Sequence, residues 1–249
     1  MKIIITGACG FIGAHITSSL IKDGYNVICA ARDTIKAQLM FPSSEVFYCN
    51  FNTDINKTTW VNRLKGVDVV INVVGILQTN RKDNAKNIHE LATKSLFDAC
   101  IENKVKKVIH ISALGVKESD TEYAKTKLAA DNYLQHLNID WIILRPSLVY
   151  ASNSFGGTSL LRALSVLPII PLIGNGFQKF QPIHIKDLVK TISFFLKKQS
   201  STKEIFDVVG PEILSLKDIL LRLRSWFNLR PTKLVSIPGQ LHEIFRVLK

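Results

Sequence analysis

Three side chains in this 249-residue chain have types and spacing suited to moving a proton at a substrate oxygen. Tyr123 and Lys127 are four residues apart, so on a helix they share one face. Ser112 lies a short connection upstream, in the run His110-Ile-Ser-Ala-Leu-Gly115. A tyrosine phenol titrates near about 10, and a neighbouring ammonium favours the phenolate. The pair can therefore take or give a proton when a carbinol is oxidised or a carbonyl reduced beside a nicotinamide. Lys127 could also hydrogen-bond the nicotinamide ribose, and the Ser112 hydroxyl could polarise the substrate oxygen. Tyr-x-x-x-Lys by itself recurs by chance in many helices. Its weight here comes from what precedes it.

That context begins at the first residues. Ile3, Ile4 and Ile5 form a β-branched run of the kind found in a buried strand. Gly7, Ala8, Cys9, Gly10, Phe11, Ile12 and Gly13 follow, then a helical stretch to Lys22. A strand turning through glycines into a helix makes a pyrophosphate site. Glycine allows close backbone approach, and the helix N-terminus offers N–H groups without partners. The spacing is G-x-x-G-x-x-G, not the usual G-x-G-x-x-G.

Downstream, strand-like and helix-like segments alternate. Strands are expected at 3–6, 26–31, 45–49, 67–74, 107–112, 141–144 and 204–209. Helices are expected at 11–22, 57–64, 85–103, 122–137, 185–198 and 216–227, with a last one at 238–248. Ser119 and Glu122 have capping-box spacing. Residues 150–183 read as loop-rich. This rhythm predicts an α/β fold: a Rossmann-type doubly wound parallel sheet. One NAD(P)-binding domain spans 1–249, with a small substrate-covering C-terminal lobe from about 150–183 and 211–249.

The second strand should show which dinucleotide binds. An NAD site usually ends it with Asp or Glu, for the ribose hydroxyls. Here it ends in Ala31, followed by Arg32, which leaves room and a planar cation for a 2′-phosphate. NADP is therefore expected over NAD, although Asp33 is adjacent. Asn50 follows the third strand, as either an adenine contact or a turn residue. Val74 and Gly75 end the fourth, where glycine would let the chain pass beneath the cofactor.

Apolar residues make up 47% of the chain, which excludes a disordered one. The formal charge is +12, and 14 of the 32 basic but only 6 of the 20 acidic residues lie after position 150. A basic C-terminal part can attract phosphorylated ligands, anionic lipid or a protein complex, or be a solvated surface. No nucleic-acid signature is present, and nucleic acid is not expected as a partner. Cys9, Cys29, Cys49 and Cys100 form no C-x-x-C pair and read as free thiols of a reducing compartment. With no long apolar run, the expected location is cytoplasmic. His15 and His110 read as structural. His184 reads as core or cleft-closing. Trp60, Trp141 and Trp226 read as covers over apolar surface.

Thr6-Gly-Ala-Cys-Gly-Phe-Ile-Gly13, Asn72-Val-Val-Gly75, Ser112, Tyr123-x-x-x-Lys127 and Arg145-Pro146 together resemble the short-chain dehydrogenase/reductase superfamily. The likeness is to its extended and atypical side, which holds NAD-dependent epimerase/dehydratase-like proteins. Val74-Gly-Ile-Leu77, His89 and Phe180-Gln-Pro-Ile-His-Ile-Lys-Asp187 are similar to the subgroup of the NADPH-binding accessory subunit of respiratory complex I. The resemblance implies that Gly7, Gly10 and Gly13 hold the pyrophosphate. Tyr123 would be the acid/base with Lys127 and Ser112, and Pro146 and Ser147 would pass the nicotinamide amide. It implies a carbonyl or sugar-like substrate, or a dinucleotide that is held without turnover. Two departures stand out: His89 replaces the usual helix asparagine, and Tyr150-Ala151 stands where Tyr-Gly or Phe-Gly is common.

Overall fold

The computed structural model describes residues 1–152, 157–198 and 201–237. The chain divides into two compact units. The first takes Met1–Pro146 and Ile185–Val208. The second takes Ser147–His184 and the described residues from Val209 on.

Elements are numbered in chain order. The first unit holds a seven-stranded parallel sheet of β1 (Lys2–Thr6), β2 (Asn26–Ala31), β3 (Glu45–Tyr48), β4 (Val69–Asn72), β5 (Lys107–Ile111), β6 (Asp140–Pro146) and β11 (Glu204–Val208). Their spatial order is β11-β6-β5-β4-β1-β2-β3. The order reverses between β1 and β4, and in such sheets ligands bind beyond the carboxyl ends of the strands at that point. β4 and β5 are buried at every residue, as strands covered on both faces must be.

The helices of this unit are α1 (Phe11–Lys22), α2 (Thr34–Met40), α3 (Lys57–Val61), α4 (Ala92–Glu102), α5 (Glu122–Gln135) and α7 (Ile185–Lys197). The sequence reading misses α2. That helix buries only Ala37 and leaves Ile35 and Leu39 exposed, so it has no apolar stripe to read. Asp33 starts it by accepting from the Lys36 N–H at 2.8 Å. The cap of α5 is Thr121, not Ser119. Thr121 accepts from the Ala124 N–H, while Ser119 bonds the Thr121 hydroxyl at 3.0 Å. Buried Lys107 donates to the Phe195 and Lys198 carbonyls at 3.0 and 2.7 Å, tying the sheet to the end of α7. Trp60, Phe97 and Trp141 are core side chains on one side of the sheet.

The second unit contains α6 (Gly157–Ser165), α8 (Leu216–Trp226) and three two-stranded pairs. These are β7 (Val149–Tyr150) with β10 (Ile183–His184), β9 (Lys179–Phe180) with β12 (Leu214–Ser215), and β8 (Ile169–Ile173) with β13 (Lys233–Ile237). Its core is Leu161, Leu164, Ile170, Leu172, Ile219 and Leu220. The stretch expected to be loop therefore holds a helix and a five-residue strand. Its prolines and glycines punctuate these elements and hide the Leu160-Leu161-x-x-Leu164 spacing. Ser215 and Asp218 make a full capping box for α8. Trp226 is 57% exposed and covers no core. The helix expected at 238–248 lies outside the described residues. No helix of the described residues is long and apolar enough to cross a membrane.

The β1–α1 junction rests on two glycines. Gly7 has φ +71°, in the left-handed region. A Cβ on Gly13 would overlap the Gly7 carbonyl oxygen and lie 2.9 Å from its carbon. Helix and loop thus touch through backbone. Gly13→Ala is expected to cost about 3 kcal/mol, the upper range for overpacking a rigid contact. Urea unfolding with an unchanged midpoint would show that α1 can shift to make room.

Candidate functional site

The site grows from the carboxyl ends of β1, β4 and β5. Gly7 packs on Val74, whose Cγ2 would be 3.2 Å from an added Cβ. The glycine turn is closed by Gly10 N–H donating to the Gly7 carbonyl at 2.9 Å and by Gly7 N–H donating to Ala30 at 3.0 Å. Gly10 is the N-cap of α1 and supplies no side-chain bond. The first turn carries no acidic residue. The first turn, Phe11 to Gly13, thus has the positive end of the helix dipole and no side chain or carboxylate that caps it. Ala8 is fully buried, and Cys9 is half-buried with its thiol raised by burial.

The second strand's end differs from its expected use. Arg32 is 57% exposed and forms an ion pair with Asp83, whose Oδ1 also accepts from Asn52 Nδ2 at 2.9 Å. Asn52 further donates to the Lys82 carbonyl and accepts from Asn84 N–H. Asn50 makes a turn: its Oδ1 accepts from Asn52 N–H at 3.1 Å. A 2′-phosphate at Arg32 would have to displace a carboxylate. Nothing in the local sequence pairs residues 51 apart, so Asp83 carries no signal in the chain.

Lys127 is buried. Its ammonium donates to the Val74 carbonyl at 3.1 Å and the Ile111 carbonyl at 3.0 Å. A Cβ on Gly75 would come within 3.2 Å of it, a tight contact. Through these contacts Lys127 joins α5 to β5 and to the segment packed on the glycine loop. Burial pushes Lys127 down to about 8. Tyr123 lies on the same helix, its ring edge-on to His89 with centroids 5.4 Å apart. Its hydroxyl has no hydrogen-bond partner among the described residues. Burial, with help from the Asp131 charge, pushes the phenol up to about 12. The expected lowering by Lys127 is not what this geometry produces: burial and the Asp131 charge both raise the phenol, and the ammonium is not among the groups that act on it.

His89 lies in a π-helical turn, Lys86–Leu91, that leads into α4. Its Nε2 accepts from Ile76 N–H at 3.0 Å, so Nδ1 carries the proton and donates to Thr126 Oγ1 at 2.9 Å. Burial and Lys127 hold its pKa down to about 2. This neutral, saturated ring is a brace for α5 and has no free nitrogen for a proton relay.

Ser112 is held from behind. Its hydroxyl donates to Asp131 Oδ2 at 2.9 Å, and Arg145 donates to the same oxygen from Nε and Nη2 at 3.0 and 2.8 Å. All three are buried. A hydroxyl has one proton to give, so Ser112 turns a lone pair outward and does not offer the expected polarising donor. Asp131 Oδ1 faces His110 Nε2 at 3.5 Å. His110 Nδ1 contacts Asn72 Nδ2 at 3.2 Å, and Asn72 Oδ1 accepts from Thr6 Oγ1 at 2.6 Å. Because Asn72 Nδ2 can only donate, His110 is the Nε2–H tautomer, and burial keeps it neutral. Asp131 escapes motif reading, although it follows Lys127 by four and so shares its face. Pro146 accepts from Leu114 N–H at 3.0 Å, and Ser147 opens the second unit. Among the described residues no His, Cys, Asp and Glu group could hold a metal.

The sequence profile of the NAD dependent epimerase/dehydratase family matches residues 3–209. The chain belongs to this family. This agrees with the resemblance already drawn from the glycine, Tyr/Lys and Arg-Pro motifs. The chain is similar to the mitochondrial NADH-ubiquinone oxidoreductase 40 kDa subunit of Neurospora crassa, with 23% identity over 86% of this chain and 57% of that protein. It is also similar to a ceramide reductase of Caulobacter vibrioides, with 23% identity over 83% of this chain and 64% of the other. It thus spans less than two thirds of these relatives. A solved structure of UDP-glucuronic acid 4-epimerase from Bacillus cereus, in complex with UDP-glucuronic acid and NAD, superposes with a TM-score of 0.77. It has 23% identity and covers 96% of this chain and 86% of that one. The family fold, a parallel Rossmann sheet, is therefore shared.

The buried ammonium gives the family's Tyr/Lys helix a measurable signature. An unfolded lysine keeps its proton to about 10.4, whereas Lys127 releases it at about 8. Between these values the unfolded state binds more protons, so native stability rises with pH. Lys127→Met is expected to leave unfolding free energy at pH 7 unchanged or up by about 1 kcal/mol, since removing a buried charge offsets two lost hydrogen bonds. The gap between native and variant should move in the native protein's favour from pH 8 to 10. A pH-independent gap in urea titrations would refute the depressed lysine.

Proposed function

We propose that the chain is an NAD-dependent oxidoreductase or epimerase-like enzyme acting at a carbonyl or carbinol carbon. The observation that carries this is the Lys127 ammonium, bonded to Val74 and Ile111 carbonyls beside the glycine loop. It brings the Tyr123 helix to the place where a dinucleotide would lie. The N–H groups at the start of α1 would hold the pyrophosphate, with Gly7, Gly10 and Gly13 letting it approach. Bound NAD would give or take the hydride. Tyr123 moves the proton. Its raised pKa keeps it a neutral phenol, so it is charged with a proton for the oxygen of a carbonyl. In the reverse direction a nearby positive charge must pay for the phenolate. Ser112 acts as a lone-pair contact held by Asp131.

NAD is favoured over NADP by the Arg32–Asp83 pair, and the epimerase structure noted above carries NAD. Asp83→Asn frees Arg32 and removes a carboxylate from the 2′ position. It should raise NADP affinity relative to NAD by about tenfold, equal to about 1.4 kcal/mol. Calorimetric titration that already shows tight NADP binding to the native chain would overturn the NAD reading.

A second reading is a dinucleotide held without turnover, as part of a complex or at a membrane surface. One observation favours it: Tyr123 is pushed away from ionisation, and Lys127 directs two of its three donors to backbone carbonyls. Tyr123→Phe separates the two. Under the enzyme reading it leaves NAD affinity within about twofold and lowers turnover on a carbonyl or nucleotide-sugar panel by about 10²–10⁴. Turnover that survives the change removes Tyr123 from the mechanism. No turnover by the native chain, with NAD retained, selects the second reading.

A further inference from the structure

The second unit has a cavity of its own. It is about 510 Å³, within the range of small-molecule sites, and all of its lining residues come from this unit. Leu148, Leu161, Leu214, Ile219, Leu223 and Trp226 form its large apolar side chains, with Ser152 and Thr158 also on the wall. The first five belong to or pack on the unit's apolar core, so the cavity opens directly onto that core.

Two of its charged groups face one another. Arg222 donates to both Glu212 oxygens, at 2.7 and 2.5 Å. Arg162 lies over the Trp226 ring at 4.8 Å and near Phe227 at 5.6 Å. A diphosphate needs cations and N–H donors turned toward it. Here the guanidinium of Arg222 is occupied by a carboxylate and that of Arg162 by an aromatic face. His184 is half-buried and stacks edge-on against Tyr150, with centroids 5.1 Å apart. Most of the surface that the wall offers to a ligand is aliphatic and aromatic, which favours apolar burial over a dense charge.

We infer that this cavity binds an uncharged apolar molecule, with a long aliphatic or isoprenoid-like body, and excludes nucleotide sugars. Nothing in this inference depends on catalysis at Tyr123. Its failure would leave the dinucleotide reading intact, and NAD binding measured on the same samples reports that site separately.

The test is a fluorescence titration of the full chain with N-phenyl-1-naphthylamine, a neutral apolar probe. Saturable binding at one site per chain is expected, with displacement by 2-dodecanone or farnesol and none by millimolar UDP-glucose. Leu223→Glu places a carboxylate on a half-buried wall position and should weaken probe binding by about tenfold or more. Trp226→Ala changes an exposed side chain, so folding is retained, and it should weaken the probe by about threefold. Circular dichroism and the unfolding midpoint verify that each variant is folded. Non-saturable binding, displacement by UDP-glucose, or native affinity in both folded variants would overturn the inference.

Discussion

A carboxylate with no water around it constrains much of the first unit. Asp131 is fully buried, and its side-chain partners come from two neighbouring strands of the sheet. Arg145 comes from β6, while Ser112 and His110 come from the end of β5. From His110 the chain of contacts runs through Asn72 of β4 to Thr6 of β1, the residue before the glycine loop. Four adjacent strands and α5 are thus registered by one polar line across the sheet's carboxyl end. Loss of either partner in a buried pair costs about 3–5 kcal/mol, because the other charge is left without compensation. A line of this kind tolerates little sliding. That rigidity keeps the glycine loop, Ser112 and the Tyr123 helix in fixed relation.

The same burial sets the protonation of the groups around Tyr123. Burial raises the phenol, lowers the lysine and lowers His89, so each group is pushed toward its neutral form. Pair interactions are present but smaller. A Tyr/Lys pair seen in sequence suggests mutual stabilisation of phenolate and ammonium. The structure instead gives the lysine two carbonyls as partners and the phenol an imidazole edge. Proton delivery from the phenol needs no prior ionisation, whereas proton removal needs an added positive charge.

Much of the sheet could be read from the chain because parallel strands buried on both faces are written as apolar runs. β1, β2 and β5, with α1 and α7, sit within a residue or two of where periodicity puts them. The glycine loop was legible for a similar reason: its glycines answer local backbone needs. Pairings between distant residues left no trace. Arg32 reads as an open cation until Asp83, far along the chain, arrives beside it. Ser112 reads as a donor until Asp131 takes its proton. Thr121 outcompetes Ser119 as a cap because both spacings are plausible and only the backbone conformation chooses. Short strands of two residues, such as β7 and β10, have no periodicity to detect.

Net charge was the least transferable part of the reading. Lys186, Lys190, Lys197, Lys198 and Lys203 follow position 150 in sequence but belong to the first unit, on or beyond α7. In the second unit, Arg224 is buried and spends its donors on the Ser165, Leu167 and Arg230 carbonyls, closing the end of α6. Arg222 is matched by Glu212, and Arg162 lies on Trp226. A count of basic residues treats these three as surface field. In the folded unit one is a structural brace, one is half of an ion pair and one lies over an aromatic ring. Only Arg162 and Arg222 of the three line the unit's cavity, so its wall is far less cationic than the composition of its segment, and an apolar ligand suits it better than an anionic one.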